Sequence, residues 1–196
     1  MLSKTGIISN AVTLLGHKPI QTLDNADSLV VSAEQAYDLL LPSVLAGSNW
    51  RFAVQIQQLS LSVDTPVGNK YKYIYELPAD FIKTIRVEPN IYDWEIYENN
   101  KIYTNWNGEW FMEYVFLPDV TRMPMYFKNY FVYEIAAYLA LSNAQRPDYY
   151  APLEQRRVTE QARAAAADAQ NRPNTSLVNI PVLAKREVAP SNFTVS

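Results

Sequence analysis

Along the first fifteen residues the apolar positions Ile7, Ile8, Ala11, Leu14 and Leu15 recur at spacings of three and four, the period of one helix face. The pattern predicts a helix over residues 4 to 15. Gly16, able to adopt the left-handed conformation of a C-cap, ends it, and Pro19 blocks continuation. A second helix is expected from Asp27 or Ser28 as N-cap, with Val30, Val31, Ala33, Ala36, Tyr37, Leu40, Leu41, Val44 and Leu45 on a wide apolar face. Pro42 should kink it and Gly47 close it.

At Arg51 the period changes from helical to two. Phe52, Val54 and Ile56 share one face, whereas Leu59, Leu61 and Val63 share the other parity, which calls for a bulge or break near Gln57 and Gln58. After the turn "DTPVGN", Tyr71, Tyr73 and Tyr75 alternate along one strand, "FIKTIRVE" reads as another, and "WEIYENNKIYTNW" is a hairpin about Asn99 and Asn100. "EWFMEYVFLP" is expected to be that hairpin's neighbour. Residues 51 to about 120 are thus a β-rich block.

Helical spacing returns after Arg122. Pro124 suits a first turn, and Tyr126, Phe127, Tyr130, Phe131, Tyr133, Ile135, Tyr138, Leu139 and Leu141 continue nearly all round, as in a buried helix. Pro152 should begin a last helix, rich in alanine and poor in large apolar groups, with Glu160, Arg163 and Asp168 in water. From residue 173 the periodicity ends, yet Leu177, Val178, Ile180, Val182, Leu183, Val188 and Phe193 remain, too many anchors for a merely solvated tail. Stretched, it would reach roughly 80 Å at about 3.3 Å per residue.

Composition narrows the chemistry. The balance of 48% apolar and 19% charged residues belongs to a globular chain, and no apolar run approaches the roughly 18 residues that span a bilayer. The N-terminus lacks a signal-peptide cleavage site, so a soluble protein made in a cytoplasm is expected, with no membrane contact. The absence of cysteine excludes disulfides, thiolate metal sites and thiol nucleophiles. A net charge of −3 lacks the basic footprint of a protein that grips phosphates.

Candidate chemistry is sparse. The single histidine, His17, lies beside Lys18 just after the first helix, where a basic pair suits the helix dipole; with no second histidine it belongs to a turn rather than a metal site. Nucleotide, hydrolase and metalloprotease signatures are absent, so no cofactor, metal or catalytic residue is expected. Asp93 with Glu95, and Glu109 with Glu113, sit among Trp94, Trp106 and Trp110 in a way that could mimic a sugar site. Alternation in half-exposed strands explains them more simply. Likewise Tyr71, Tyr73 and Tyr75 could form a binding platform but more often pack a sheet or make an oligomer contact, and Arg156 with Arg157 reads as an ion-paired helix face.

The order helix, helix, β-rich block, helix, helix, arm is accompanied by specific strings. Leu15 and Gly16, Pro19, the acidic loop at 24 to 27, Ala33 and Ala36, then Ser48, Trp50 and Phe52 resemble the opening of the head-to-tail adaptor of short-tailed phages, also called tail tubular protein A or gatekeeper. Tyr75, Leu77, Pro78 and Asp80 match the family's Tyr-x-Leu-Pro-x-Asp pattern, and "MPMYFKNYFVYEIAAYLA" is similar to its third helix. The likeness covers residues 4 to 170. It implies a virion structural protein with no catalysis, forming a ring, usually of twelve copies, between the portal protein and the tail nozzle protein. DNA passes through that channel without specific binding. The expected fold is α+β: a four-helix bundle from residues 1–50 and 122–172, a β-rich antiparallel domain at 51–121 inserted between helices 2 and 3, and an extended arm at 173–196. Leu177, Ile180, Val182, Leu183, Val188 and Phe193 of the arm would meet the portal or a neighbouring subunit. The runner-up is a glycan-binding tail or surface module built on the Trp- and Tyr-rich β block.

Overall fold

A computed structural model describes residues 2–23, 27–68, 70–90, 92–98, 100–142 and 147–171. Among these residues it is a mixed α+β protein with four α-helices and two antiparallel sheets. The arm residues named above lie outside the described residues, as do Asp24 and Asn99.

Helix α1 (Lys4–Leu14) starts at Ser3, whose side chain accepts the Gly6 amide. At its end Gly16 stands at φ 81°, its amide donating to Thr13 O while the His17 amide donates to Val12 O. These two bonds form a Schellman motif, so His17 serves the turn through its backbone. Helix α2 (Ser28–Gly47) is capped by Asp27, which accepts the Leu29 amide. It runs on through Pro42 without interruption. Although the sequence shows no unbroken apolar run, α2 as a whole is long and apolar enough to cross a membrane by length and composition. Its Ala33, Ala36, Tyr37, Leu41 and Leu45 are instead buried in the core.

Residues Arg51–Ala53, expected as strand, form a 3-10 turn that swings the chain off α2. The strands follow: β1 (Val54–Gln58), β2 (Ser60–Leu61), β3 (Tyr73–Glu76), β4 (Phe81–Glu88), β5 (Trp94–Tyr97), β6 (Lys101–Thr104) and β7 (Phe111–Phe116). One sheet has the order β1-β7-β4 and the other β2-β3-β6-β5. The parity change near Gln58 is the point where the chain leaves one sheet for the other, with the Leu59 amide donating to Trp110 O at 2.8 Å. β5 and β6 do form a hairpin, but the described positive φ there falls on Glu98, at 58°. The expectation that "EWFMEYVFLP" lies beside this hairpin is wrong: β7 is the central strand of the other sheet, between β1 and β4. Cross-strand partners far apart in sequence leave no local signature.

The sheet containing β7 is shared by two cores. Val115 faces the helices, joining Ile7, Trp50, Phe127 and Phe131, whereas Met112, Tyr114 and Phe116 face the second sheet with Tyr75, Ile102 and Trp110. Helix α3 (Met125–Ser142) contacts all three other helices. It is buried on most sides, yet Tyr138 and Leu141 are exposed, and Lys128 is unexpectedly buried, its Nζ donating to Leu2 O at 3.0 Å. Helix α4 (Tyr150–Ala169) begins two residues before Pro152 and buries only Leu153, Ala164 and Asp168. Of the three charged residues expected in water on this helix, only Arg163 is well exposed. Asp168 is buried, and the Glu160 side chain is largely covered where it pairs with Arg156 and Arg163.

Two measurements follow from this packing. Gly16→Ala forces a Cβ into a left-handed backbone, which costs about 1 kcal/mol, so thermal unfolding of the variant should be lowered accordingly. Burial, with Asp38 and Asp119 nearby, pushes the Tyr37 hydroxyl up to about 12. Below pH about 10 this tyrosine is protonated in both states, and above it the unfolded chain ionises first. Stability should therefore fall as pH rises from about 10 toward 12, and Tyr37→Phe should flatten that fall in denaturant titrations.

Candidate functional site

A cleft of about 860 Å³ lies between α4 and the β1-β7-β4 sheet. Three segments build it. Gln161, Ala165 and Ala169 form the α4 wall; Ser48, Asn49 and Arg51 come from the α2–β1 crossover; Val54, Ile85, Arg86 and Glu113 come from the sheet. The cleft exists because α4 presents small side chains to the sheet, and alanines leave room where leucines would fill it.

Asp168 holds the inner end together. It is 6% exposed, and its carboxylate accepts the Arg51 amide at 2.8 Å and the Tyr126 hydroxyl at 2.7 Å. Burial and this carboxylate raise the Tyr126 hydroxyl well above the usual phenol range, so it remains a donor. One residue away, Trp50 donates from Nε1 to Val44 O at 3.3 Å and packs edge-on to Phe127 and stacked on Tyr130, with centroids 5.1 and 5.9 Å away. The end of α4, the start of α3 and the exit from α2 are thereby fastened at one point. The signal for Asp168 was present as a stripe on α4, since Leu153, Arg157, Gln161, Ala164 and Asp168 follow helical spacing. A lone acid among alanines hid it.

Nearer the mouth, Glu113 accepts from Arg86 Nε, and Arg86 also pairs with Glu88 at 2.9 Å. Arg51 is half-buried in the cleft wall and its guanidinium has no hydrogen bond or ion pair among the described residues. The cleft therefore offers one unengaged cation beside apolar surface, and no group of three His, Asp or Glu side chains that could hold a metal is found among the described residues.

No family model matches this chain, and no curated protein matches it.

The sequence-selected acids are not brought together as a hydrolytic pair. Glu113 is engaged by Arg86, while Glu109 lies exposed in the loop before β7, its carbonyl accepting Trp106 Nε1 at 3.1 Å. Glu95 is held below the usual carboxylate range by hydrogen bonds from Lys70 and then Tyr97, the reverse of what a general acid requires. The tryptophans do not make one surface either. Trp110 is buried, donating to Pro89 O, whereas Trp94 and Trp106 pack at the margin of the same core and Trp106 stacks on Tyr92 at 5.2 Å. Tyr71 and Tyr75 are buried, so the tyrosine row is sheet packing rather than a platform. Arg157 joins Glu154 and Glu134, tying α4 to α3, and Arg156 pairs with Glu160.

Asp168→Ala leaves the half-buried Arg51 amide and the Tyr126 hydroxyl without their acceptor. A loss of about 2 to 6 kcal/mol is expected in urea unfolding, at about 1 to 3 kcal/mol for each of the two unsatisfied groups; Asp168→Asn, which keeps an acceptor, should lose less.

Proposed function

We propose that this chain is a structural subunit of the head-to-tail adaptor of a short-tailed phage. It would assemble as a ring of about twelve copies between the portal protein and the tail nozzle protein, within the virion, after synthesis in the host cytoplasm. The observation that carries the reading is that the residues of the resemblance are also the residues on which the fold turns. Leu15 and Gly16 close α1, Asp27 caps α2, and Trp50 sits where α2, α3 and the sheet meet. In the second string the Tyr75 hydroxyl donates to Gly108 O, and Asp80 accepts the Tyr114 hydroxyl at 3.1 Å. A sequence sharing these positions shares the joints of the architecture and not just its composition. We read residues 1–50 and 122–172 as the helical bundle of that family, 51–121 as its inserted β-rich domain and 173–196 as its arm.

The role requires contact and containment rather than turnover. Leu39, Leu141 and Val158 stand out from α2, α3 and α4 at 57%, 66% and 50% exposure, giving those helices apolar contact surface for neighbours in a ring. A net charge of −3 suits a channel that DNA slides through, since an acidic wall does not hold phosphates. The arm residues Leu177, Ile180, Val182, Leu183, Val188 and Phe193 would serve as anchors on the portal or a neighbour, each worth roughly 1.5 to 3 kcal/mol when fully buried. No catalysis, cofactor or membrane enters the reading.

Mixing the purified subunit with portal rings of the same virus tests it. Mass measurement and electron microscopy should find one stoichiometric ring added at one end of the portal. Absence of association across a range of salt and protein concentration would overturn the adaptor role.

A further inference from the structure

The β1-β7-β4 sheet is covered by helices over only part of its length. On its helix-facing side β7 presents Val115, Glu113 and Phe111 in turn; Val115 is fully buried, whereas Phe111 is 39% exposed. The paired strand repeats this, with Val54 opposite Val115 half-buried and Ile56 opposite Glu113 61% exposed. The cleft under α4 continues into a shallow depression lined by Ile56, Phe111, Glu88, Arg86 and Glu113. Cleft and depression share Arg86 and Glu113, so one groove runs from the end of α4 across a sheet face that carries apolar side chains and has no covering layer among the described residues.

We propose that this groove is the seat of the chain's own residues 177–183 in the free subunit. Position argues for it first. Ala165, Asp168 and Ala169 line the groove, and Asn171, whose Nδ2 donates to the Tyr126 hydroxyl at 3.4 Å, places the continuing chain at its lip. The six residue steps from 171 to 177 extend about 20 Å at roughly 3.3 Å each. Three strands spaced about 4.8 Å apart are only about 10 Å across between the outer two, so the whole face is within reach.

The segment also has the right pattern. Val178, Ile180 and Val182 alternate with Asn179 and Pro181, which puts three apolar side chains on one side of an extended chain. Pro181 lacks an amide donor and is unsuited to the interior of a sheet, but nothing prevents it from lying on a sheet face. Charge agrees: from residue 172 onward Arg172, Lys185 and Arg186 outnumber the single acidic side chain, Glu187, and at the outer end of the groove Glu88 and Glu113 share the single cation Arg86, which leaves that end with an excess negative charge. At the inner end the unengaged Arg51 guanidinium can donate to backbone carbonyls of the incoming segment. Because the segment is tethered, its effective concentration is of millimolar order, and a few apolar contacts suffice. The proposal does not rest on the adaptor reading; under that reading the groove stores the arm until a portal or neighbour takes it.

The chain has no cysteine, so introduced thiols are the only ones present. The full-length double variant Ile56→Cys with Ile180→Cys, Ile56 being well exposed on its strand, is treated at low protein concentration with a short bis-maleimide and compared with Val67→Cys with Ile180→Cys. Val67 is fully exposed in the β2–β3 connection of the other sheet. The expected result is a monomeric cross-linked species forming roughly tenfold faster at Ile56 than at Val67, the advantage of a seated segment over one sampling its tether volume. Equal rates at the two positions would overturn the proposal, as would a cross-link at Ile56 found only in dimers, which would assign the groove to a second copy. Neither result depends on portal binding, so failure of this proposal and failure of the adaptor role are distinguished.

Discussion

The fastening of Asp168 to the Arg51 amide is the contact on which the arrangement of helices and sheet depends. Residues 48–53 are the covalent connection from α2 to the strands, and they turn through Trp50 and a short 3-10 segment rather than running straight into β1. A buried carboxylate on that turn would be costly if its charge were unmatched by hydrogen bonds. Here the amide and the Tyr126 hydroxyl supply them. The same carboxylate fixes the last turn of α4, a helix that buries few large groups of its own, so one acid compensates for a weakly apolar interface.

This economy recurs elsewhere. Arg157 ties α4 to α3 through Glu134, which also accepts the Tyr130 hydroxyl at 2.7 Å. Lys128, buried on α3, donates from its ammonium to the Leu2 carbonyl. In each case a polar group at a helix interface is paired across elements, which defines how the helices meet more sharply than alanine packing could.

Much of the local structure was legible from residue spacing. Gly16 and Asp27 mark helix ends by mechanisms that act within a few residues, and the parity change after Gln57 located the passage from one sheet to the other. What spacing did not reveal was long-range. Nothing around residues 111–116 says that they pair with 54–58 and 81–88 rather than with the adjacent hairpin. Asp168 reads as a solvent residue because its partner, Arg51, lies 117 positions away, and nothing near Lys128 points to Leu2, 126 positions away. The cleft was illegible for the same reason, being assembled from three segments that share no sequence neighbourhood. The acid pairs and tryptophans chosen from the sequence, by contrast, are accounted for by the packing of the β block.

The central place of β7 also has a consequence for how the chain is made. Both edge strands of its sheet, β1 and β4, precede it, so a ribosome must release residues up to 116 before either has its partner. The helical core is likewise incomplete until α3 emerges with Phe127 and Phe131. More than half of the chain is therefore synthesised before either core can close, and its folding is governed by closure of long loops, a topology that slows the search for the native state. During that interval the exposed edges of β1 and β4 are open to pairing with other nascent chains.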